Sequence, residues 1–170
     1  MAVASKAKAF WPLLIIAFAA DCTSKHAVVE SLETPGASHE ILGDLLRFTL
    51  VYNQGAAMGL LGPWAKEFLG LVSLAAVAVF FRWYRKAPPD ATILGAATAL
   101  VIAGALGNGW QRLLVSRGVV DFIDVGIGTS RFWVFNIADV ALHVGAALLV
   151  VVLLRESRRR AEAEAPPGVA

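Results

Sequence analysis

Four apolar runs constrain this chain more than anything else in it. Residues 9–29, 65–84, 91–110 and 132–154 each approach the roughly 20 helical residues needed to cross a bilayer core. A helix lets such a run satisfy its own backbone groups in lipid, so the runs predict an all-α membrane protein of four transmembrane helices. Only 16% of the 170 residues are charged and 58% are hydrophobic, against roughly 25% charged in soluble domains. Within the second run residues 68–81 carry no charge, and Lys66, Glu67 and Arg82 flank that stretch, where they can snorkel. Trp11, Trp64, Trp83, Trp110 and Trp133 fall near run ends, as an interfacial belt requires.

Basic residues set the orientation. With both termini inside, the inner side holds Lys6, Lys8, Arg82, Arg85, Lys86, Arg155, Arg158, Arg159 and Arg160. The outer side holds Lys25, Arg47, Lys66, Arg112, Arg117 and Arg131, spread over longer loops. Both termini are therefore expected in the cytoplasm. Residues 1–154 read as one integral-membrane domain, and 155–170 as a basic, then polar cytoplasmic tail that is disordered. Residues 1–22 have the basic front, apolar run and cysteine of a cleaved export signal. Asp21 stands where a small residue is wanted and three more runs follow, so this segment reads as a retained helix.

Several function classes drop out. A net charge of +2 gives no nucleic-acid surface, and positive-inside anchoring accounts for the arginines near the C-terminus. A single cysteine, Cys22, forms no internal disulfide, and His26, His39 and His143 are too scattered for a zinc site. No metal and no organic cofactor is expected.

The informative residues are the polar ones at one membrane end. Asn136, Asp139 and His143 are spaced three and four apart, which puts them on one helix face. A carboxylate within an apolar segment costs roughly 2.5–3.5 kcal/mol at mid-bilayer, so Asp139 reads as functional. Asp121 and Asp124 lie in a loop just outside the same end. Asp121 and Asp139, held close in a poorly solvated site, would share one proton. One could then activate water while the other protonates an amide carbonyl oxygen. Asp21 and Lys25 are placed to pair at i,i+4; a snorkelling lysine with its counter-ion is the plainer reading of them. Residues 47–52, RFTLVY, read as a short strand broken by Asn53-Gln54-Gly55-Ala56-Ala57, where Gly55 lets backbone approach a ligand closely. Gly62-Pro63-Trp64 leads into the second helix, and the third is rich in Gly and Ala for close helix packing. At its outer end Asn108 and Arg112 are four apart; Arg112 is either an interfacial stop charge or a brace for an acidic site.

Taken together, DCTSK (21–25), YNQGAAMG (52–59), GALGNGWQR (104–112), VVDFID (119–124) and FNIAD (135–139) resemble the lipoprotein signal peptidases, the type II membrane aspartic peptidases of bacteria. The motifs come in family order over almost the whole chain. The resemblance implies four helices with a small extracytoplasmic β-sheet and flap. It also implies cleavage of the signal peptide from diacylglyceryl-modified prolipoproteins just before the lipidated cysteine. Catalysis falls on Asp121 and Asp139, with Asp21, Lys25, Asn53, Gly55, Asn108, Arg112 and Asn136 shaping the site, and Asp124 matches no catalytic position. The enzyme would be a monomer in the bacterial cytoplasmic (inner) membrane, its site at the extracytoplasmic face, its partners the prolipoprotein and membrane lipid. Gln111 departs from the family pattern GNxxDR, which has an aspartate there; its loss is expected to let Arg112 or Lys25 turn toward the catalytic pair and favour its ionised forms. Met58 replaces the common phenylalanine, Cys22 the common glutamine, and His143 is unusual.

Two alternatives compete. One is a catalytically weakened paralogue that binds lipoprotein or an inhibitor, supported by Gln111. The other is a small proton-conducting bundle relaying through Asp139 and His143. It requires polar residues farther down the last run, and residues 144–154 are wholly apolar.

Overall fold

The computed structural model describes residues 5–55 and 64–164. Ala56, Ala57, Met58, Gly62, Pro63 and the last six residues lie outside them. Along the chain come α1 (Ser5–Leu32), β1 (Ser38–Leu42), β2 (Leu46–Asn53), α2 (Ala65–Lys86), α3 (Thr92–Leu114), β3 (Val119–Ile127), β4 (Ser130–Arg131) and α4 (Ile137–Glu164). Each expected run is helical. Among the described residues, α1, α3 and α4 are long and apolar enough to cross a membrane. In α2 the charges gather at the ends, with Glu67 in the first turn and Arg85 and Lys86 in the last.

α3 sits centrally and packs against α1, α2 and α4. Its small residues allow this, because dispersion across close backbones replaces the hydrophobic effect between helices in lipid. A methyl group on Gly109 would come within 2.8 Å of the Ser73 Cβ on α2, and one on Gly104 would run into the Ala138 carbonyl of α4. Near the opposite end of the bundle, Phe10 of α1 stacks on Tyr84 of α2, with ring centroids 3.8 Å apart.

The sheet is antiparallel in the order β1-β2-β3-β4; it is the small sheet that the family resemblance implied, and residues 47–52 lie in β2. The segment 119–127, expected as a loop, is a strand buried from Val119 to Phe122 and at Asp124 and exposed at its far end, Ile127. Period-2 alternation explains it. Val120 and Phe122 face a cluster with Val28 of α1 and Leu50 of β2, Phe122 meeting Phe48 edge to face at 5.4 Å. Asp121 therefore projects from the opposite face. Where Phe48 pairs with Ile123 and Val51 with Asp121 the register shifts, so two residues of β2 stand opposite Phe122 alone.

α4 starts five residues later than the apolar run 132–154, because Phe135 bridges to Ile123 of β3 and Asn136 forms the cap. It continues as helix to Glu164, through the start of the stretch read as a disordered tail. Arginine, glutamate and alanine there are all strong helix formers.

Candidate active site

The first turn of α4 builds half the site from ordinary capping. Asn136 is the N-cap and Asp139 the third helical residue. The Asp139 N–H donates to Asn136 Oδ1 at 3.0 Å, and the Asn136 N–H donates back to Asp139 Oδ2 at 3.0 Å. This is the reciprocal pattern of a capping box, with a carboxylate at the positive end of the helix. A third N-terminal donor, the Ala138 N–H, reaches Asp21 Oδ1 of α1 at 2.8 Å. Asp139 is thus held at one oxygen by its own helix start, and α4 is docked on α1 by another backbone donor.

Three asparagines then aim amide donors at the two aspartates. Each is oriented by a group that can only donate, so its carbonyl faces that group and its NH2 faces a carboxylate. For Asn108 the orienting donor is the Lys25 ammonium, 2.9 Å from Oδ1, and Nδ2 reaches Asp139 Oδ1 at 2.8 Å. For Asn136 it is the Asp139 N–H, and Nδ2 reaches Asp121 Oδ1 at 2.5 Å. For Asn53 it is the Gly55 N–H at 2.8 Å, and Nδ2 reaches Asp121 Oδ2 at 2.9 Å. Every oxygen of the two carboxylates holds one protein donor. Asn136, fully buried, bridges the pair.

Gly55 serves the site through its own backbone. Its φ of +93° carries the turn that points its N–H at Asn53, and an added Cβ would meet Leu69 at 3.0 Å and the Ala65 carbonyl carbon at 3.3 Å.

Asp21 and Lys25 are not an interfacial pair. Both are buried, 2.8 Å apart, and Lys25 also donates to the Gly107 carbonyl at 3.1 Å. A methyl on Gly107 would lie 2.5 Å from Asp21 Oδ2, so glycine leaves the room this pair occupies. Lys25 is therefore committed to Asp21, Gly107 and Asn108, which leaves Arg112 of the two expected cations to act on the Asp121–Asp139 pair. Arg112 lies within Coulombic reach of Asp139 and Asp121, yet its buried Nε has no hydrogen-bond partner among the described residues. Gln111 is engaged with the main chain of β3. It is buried, and its Oε1 accepts the Val120 N–H at 3.2 Å.

Electrostatically, burial dominates at Asp121. Desolvation, with a contribution from the nearby Asp139, pushes its carboxyl up to about 6, against the opposing pull of the Asn53 and Asn136 hydrogen bonds and Lys25. His143 is exposed, and its Nδ1–H donates to the Asp139 main-chain carbonyl at 2.7 Å. Its ring thus engages helix backbone instead of the carboxylate, which gives no relay. Asp124 is engaged elsewhere, with Arg131 Nε 2.7 Å from Oδ1 and the Thr49 hydroxyl 2.8 Å from Oδ2. An apolar cavity of about 300 Å³ opens on Asp139, lined by Phe132, Phe135, Val140, His143 and Val144.

Comparison with known proteins points the same way. A model of the signal peptidase (SPase) II family matches residues 13–155. The chain is similar to the lipoprotein signal peptidase of Alteromonas mediterranea, 33% identical over 86% of this chain and 81% of the relative. It is also similar to that of Moorella thermoacetica, 37% identical over 85% and 92%. A solved bacterial membrane enzyme superposes with a TM-score of 0.75 at 28% identity, covering 93% of this chain and 92% of that one. A second superposes with a TM-score of 0.74 at 31% identity, covering 84% and 90%.

Proposed function

The chain belongs to the signal peptidase II family, and from that premise we propose that Asp121 and Asp139 are the catalytic pair with which it removes signal peptides from prolipoproteins. The observation that carries this reading is the matched set of donors on both carboxylates, joined through Asn136. Such a frame holds two acids in fixed relation without neutralising either. Asp121 is buried and Asp139 half-buried, so the shared proton rests more favourably on Asp121. Asp139 takes a proton from the attacking water while Asp121 protonates the scissile carbonyl oxygen, giving a neutral tetrahedral diol. Collapse of the diol returns a proton to Asp121, and Asp139 delivers one to the leaving amine. The two acids and the water supply every proton that this sequence moves.

α2 is 22 residues long, about 33 Å at 1.5 Å per residue, and is read as the fourth span. Both termini are then cytoplasmic, with the pair at the extracytoplasmic face of the bacterial inner membrane. The apolar cavity beside Asp139 lets a monomer take its substrate sideways, the diacylglyceryl chains staying in lipid. The test is to incubate purified protein with matched lipidated and unlipidated precursors and follow released signal peptide. Rapid release from the lipidated precursor alone is expected. Equal rates on both would remove the lipid from the reading, and no release from either would remove the activity.

A further inference from the structure

β3 carries Asp121, and its two edges are held differently. On one side it pairs with β2, but there the register shifts beside Asp121. On the other side, among the described residues, no full strand runs along it at Asp121, since β4 pairs with Gly126 and Ile127. That edge is completed piecemeal. The Phe135 carbonyl accepts the Phe122 and Ile123 N–H groups at 2.9 and 2.7 Å. Asn136 Nδ2 reaches the Val120 carbonyl at 3.3 Å, and Gln111 Oε1 takes the Val120 N–H at 3.2 Å. The Val120 residue is thereby pinned from α3 and from the cap of α4 at once, immediately before the catalytic aspartate. Gln111 sits in the last turn of α3, and the chain returns to β3 through a turn at Gly118, whose φ is +92°.

We propose that Gln111 is a positioning residue for peptide cleavage: its side-chain carbonyl fixes the Val120 main chain, and with it the point from which Asp121 projects, without adding charge to the site. This rests on the reading of Asp121 as half of the catalytic pair. A glutamine suits the task because it is long enough to reach the strand and supplies a neutral acceptor. A carboxylate there would accept the same N–H while placing a negative charge one residue from Asp121. A side chain without an acceptor would leave a buried N–H unpaired and free the strand to shift where the β2 ladder is already irregular.

The test is a steady-state and pH comparison of Gln111→Met, which keeps length but removes the acceptor, with Gln111→Glu, which keeps the acceptor and adds charge. Asp121→Asn is measured alongside. For Gln111→Met, kcat should fall about 10- to 100-fold, as small misplacements of a reacting group do, with KM within about twofold and the alkaline limb of the pH profile unmoved. For Gln111→Glu, kcat should return to near the parent value at low pH, with the alkaline limb displaced upward, because the added charge opposes ionisation of Asp121. Wild-type kcat in Gln111→Met, or equal loss in both variants at every pH, would overturn the assignment. If Gln111→Met fails to accumulate in membranes, the shorter Gln111→Asn replaces it: reduced kcat at an unchanged Tm supports the role, and unchanged kcat refutes it. An active Asp121→Asn enzyme would overturn the catalytic reading itself. An inactive one beside a fully active Gln111→Met would overturn the Gln111 role alone.

Discussion

Replacing Asn53 by alanine should widen the working pH range of this enzyme while lowering its rate. Asn53 Nδ2 is one of two amide donors on Asp121, at 2.9 Å from Oδ2, and it favours the ionised carboxylate. A hydrogen bond to a charged group contributes about 1.5–3 kcal/mol, and one pKa unit corresponds to about 1.4 kcal/mol. Losing this donor should therefore raise Asp121 by about one to two units; water entering the vacated space argues for the lower end. From a starting value of about 6, the alkaline limb of kcat/KM should move up to about pH 7. The sign follows from which form the donor stabilises: without it the protonated acid persists to higher pH. Stability moves in parallel. A folded-state pKa above the unfolded 3.8 means that the stability linked to this proton is full below that value and is lost as pH rises through about 6. In Asn53→Ala the window of loss should extend upward by the same unit. The assay is kcat/KM for a lipidated precursor measured from about pH 5 to 8, with Asn53→Asp as companion. Aspartate retains the acceptor for the Gly55 N–H but adds charge, so its limb should move at least as far. A limb that stays put or moves down in both variants would refute the assignment of that limb to Asp121.

Two further substitutions separate framework from chemistry. Asn136→Ala removes both the α4 cap and the bridge between the carboxylates; it should cost about 1 kcal/mol or more of stability and about 100-fold in kcat. Thermal unfolding and peptide release measured on the same preparation would decide, since lost stability with unchanged kcat would reduce Asn136 to a cap. Lys25→Met strands the buried Asp21 carboxylate and should destabilise by about 3–5 kcal/mol, whereas the Asp21→Asn/Lys25→Met double variant should recover most of that loss. Equal unfolding temperatures for the single and double variants would show that the pair is not coupled.

The helices were legible because apolar length is a property of the sequence alone. What was hidden depends on partners distant in the chain. Residues 119–127 read as a loop since Asp121 and Asp124 interrupt them; only Val28 and Leu50, packed on the other face, show why Val120 and Phe122 make a strand. The start of α4 was masked by Phe132, Trp133 and Phe135, which continue the apolar run although Phe135 pairs with β3. The signal that would have found it is Asn136 followed three residues later by Asp139, a capping pattern as well as a polar helix face. Asp21, Lys25, Asn53, Asn108 and Asn136 were all singled out, and all meet in one network with Asp121 and Asp139. The hydrogen bond that Gln111 makes was hidden for a physical reason. Sequence comparison registers a missing charge, whereas the folded chain uses the amide's carbonyl on a strand that the sequence did not reveal.

The central claim is that Asp121 and Asp139 act together while the equally acidic Asp124 serves the sheet through Arg131 and Thr49. The most direct measurement is signal-peptide release from a lipidated prolipoprotein by Asp121→Asn, Asp139→Asn and Asp124→Asn, each purified from membranes and shown to be folded. The first two should lose activity by at least about 1,000-fold, the scale on which removing an acid or base acts, and the third should retain most of it. An inactive Asp124→Asn beside an active Asp121→Asn would contradict the account.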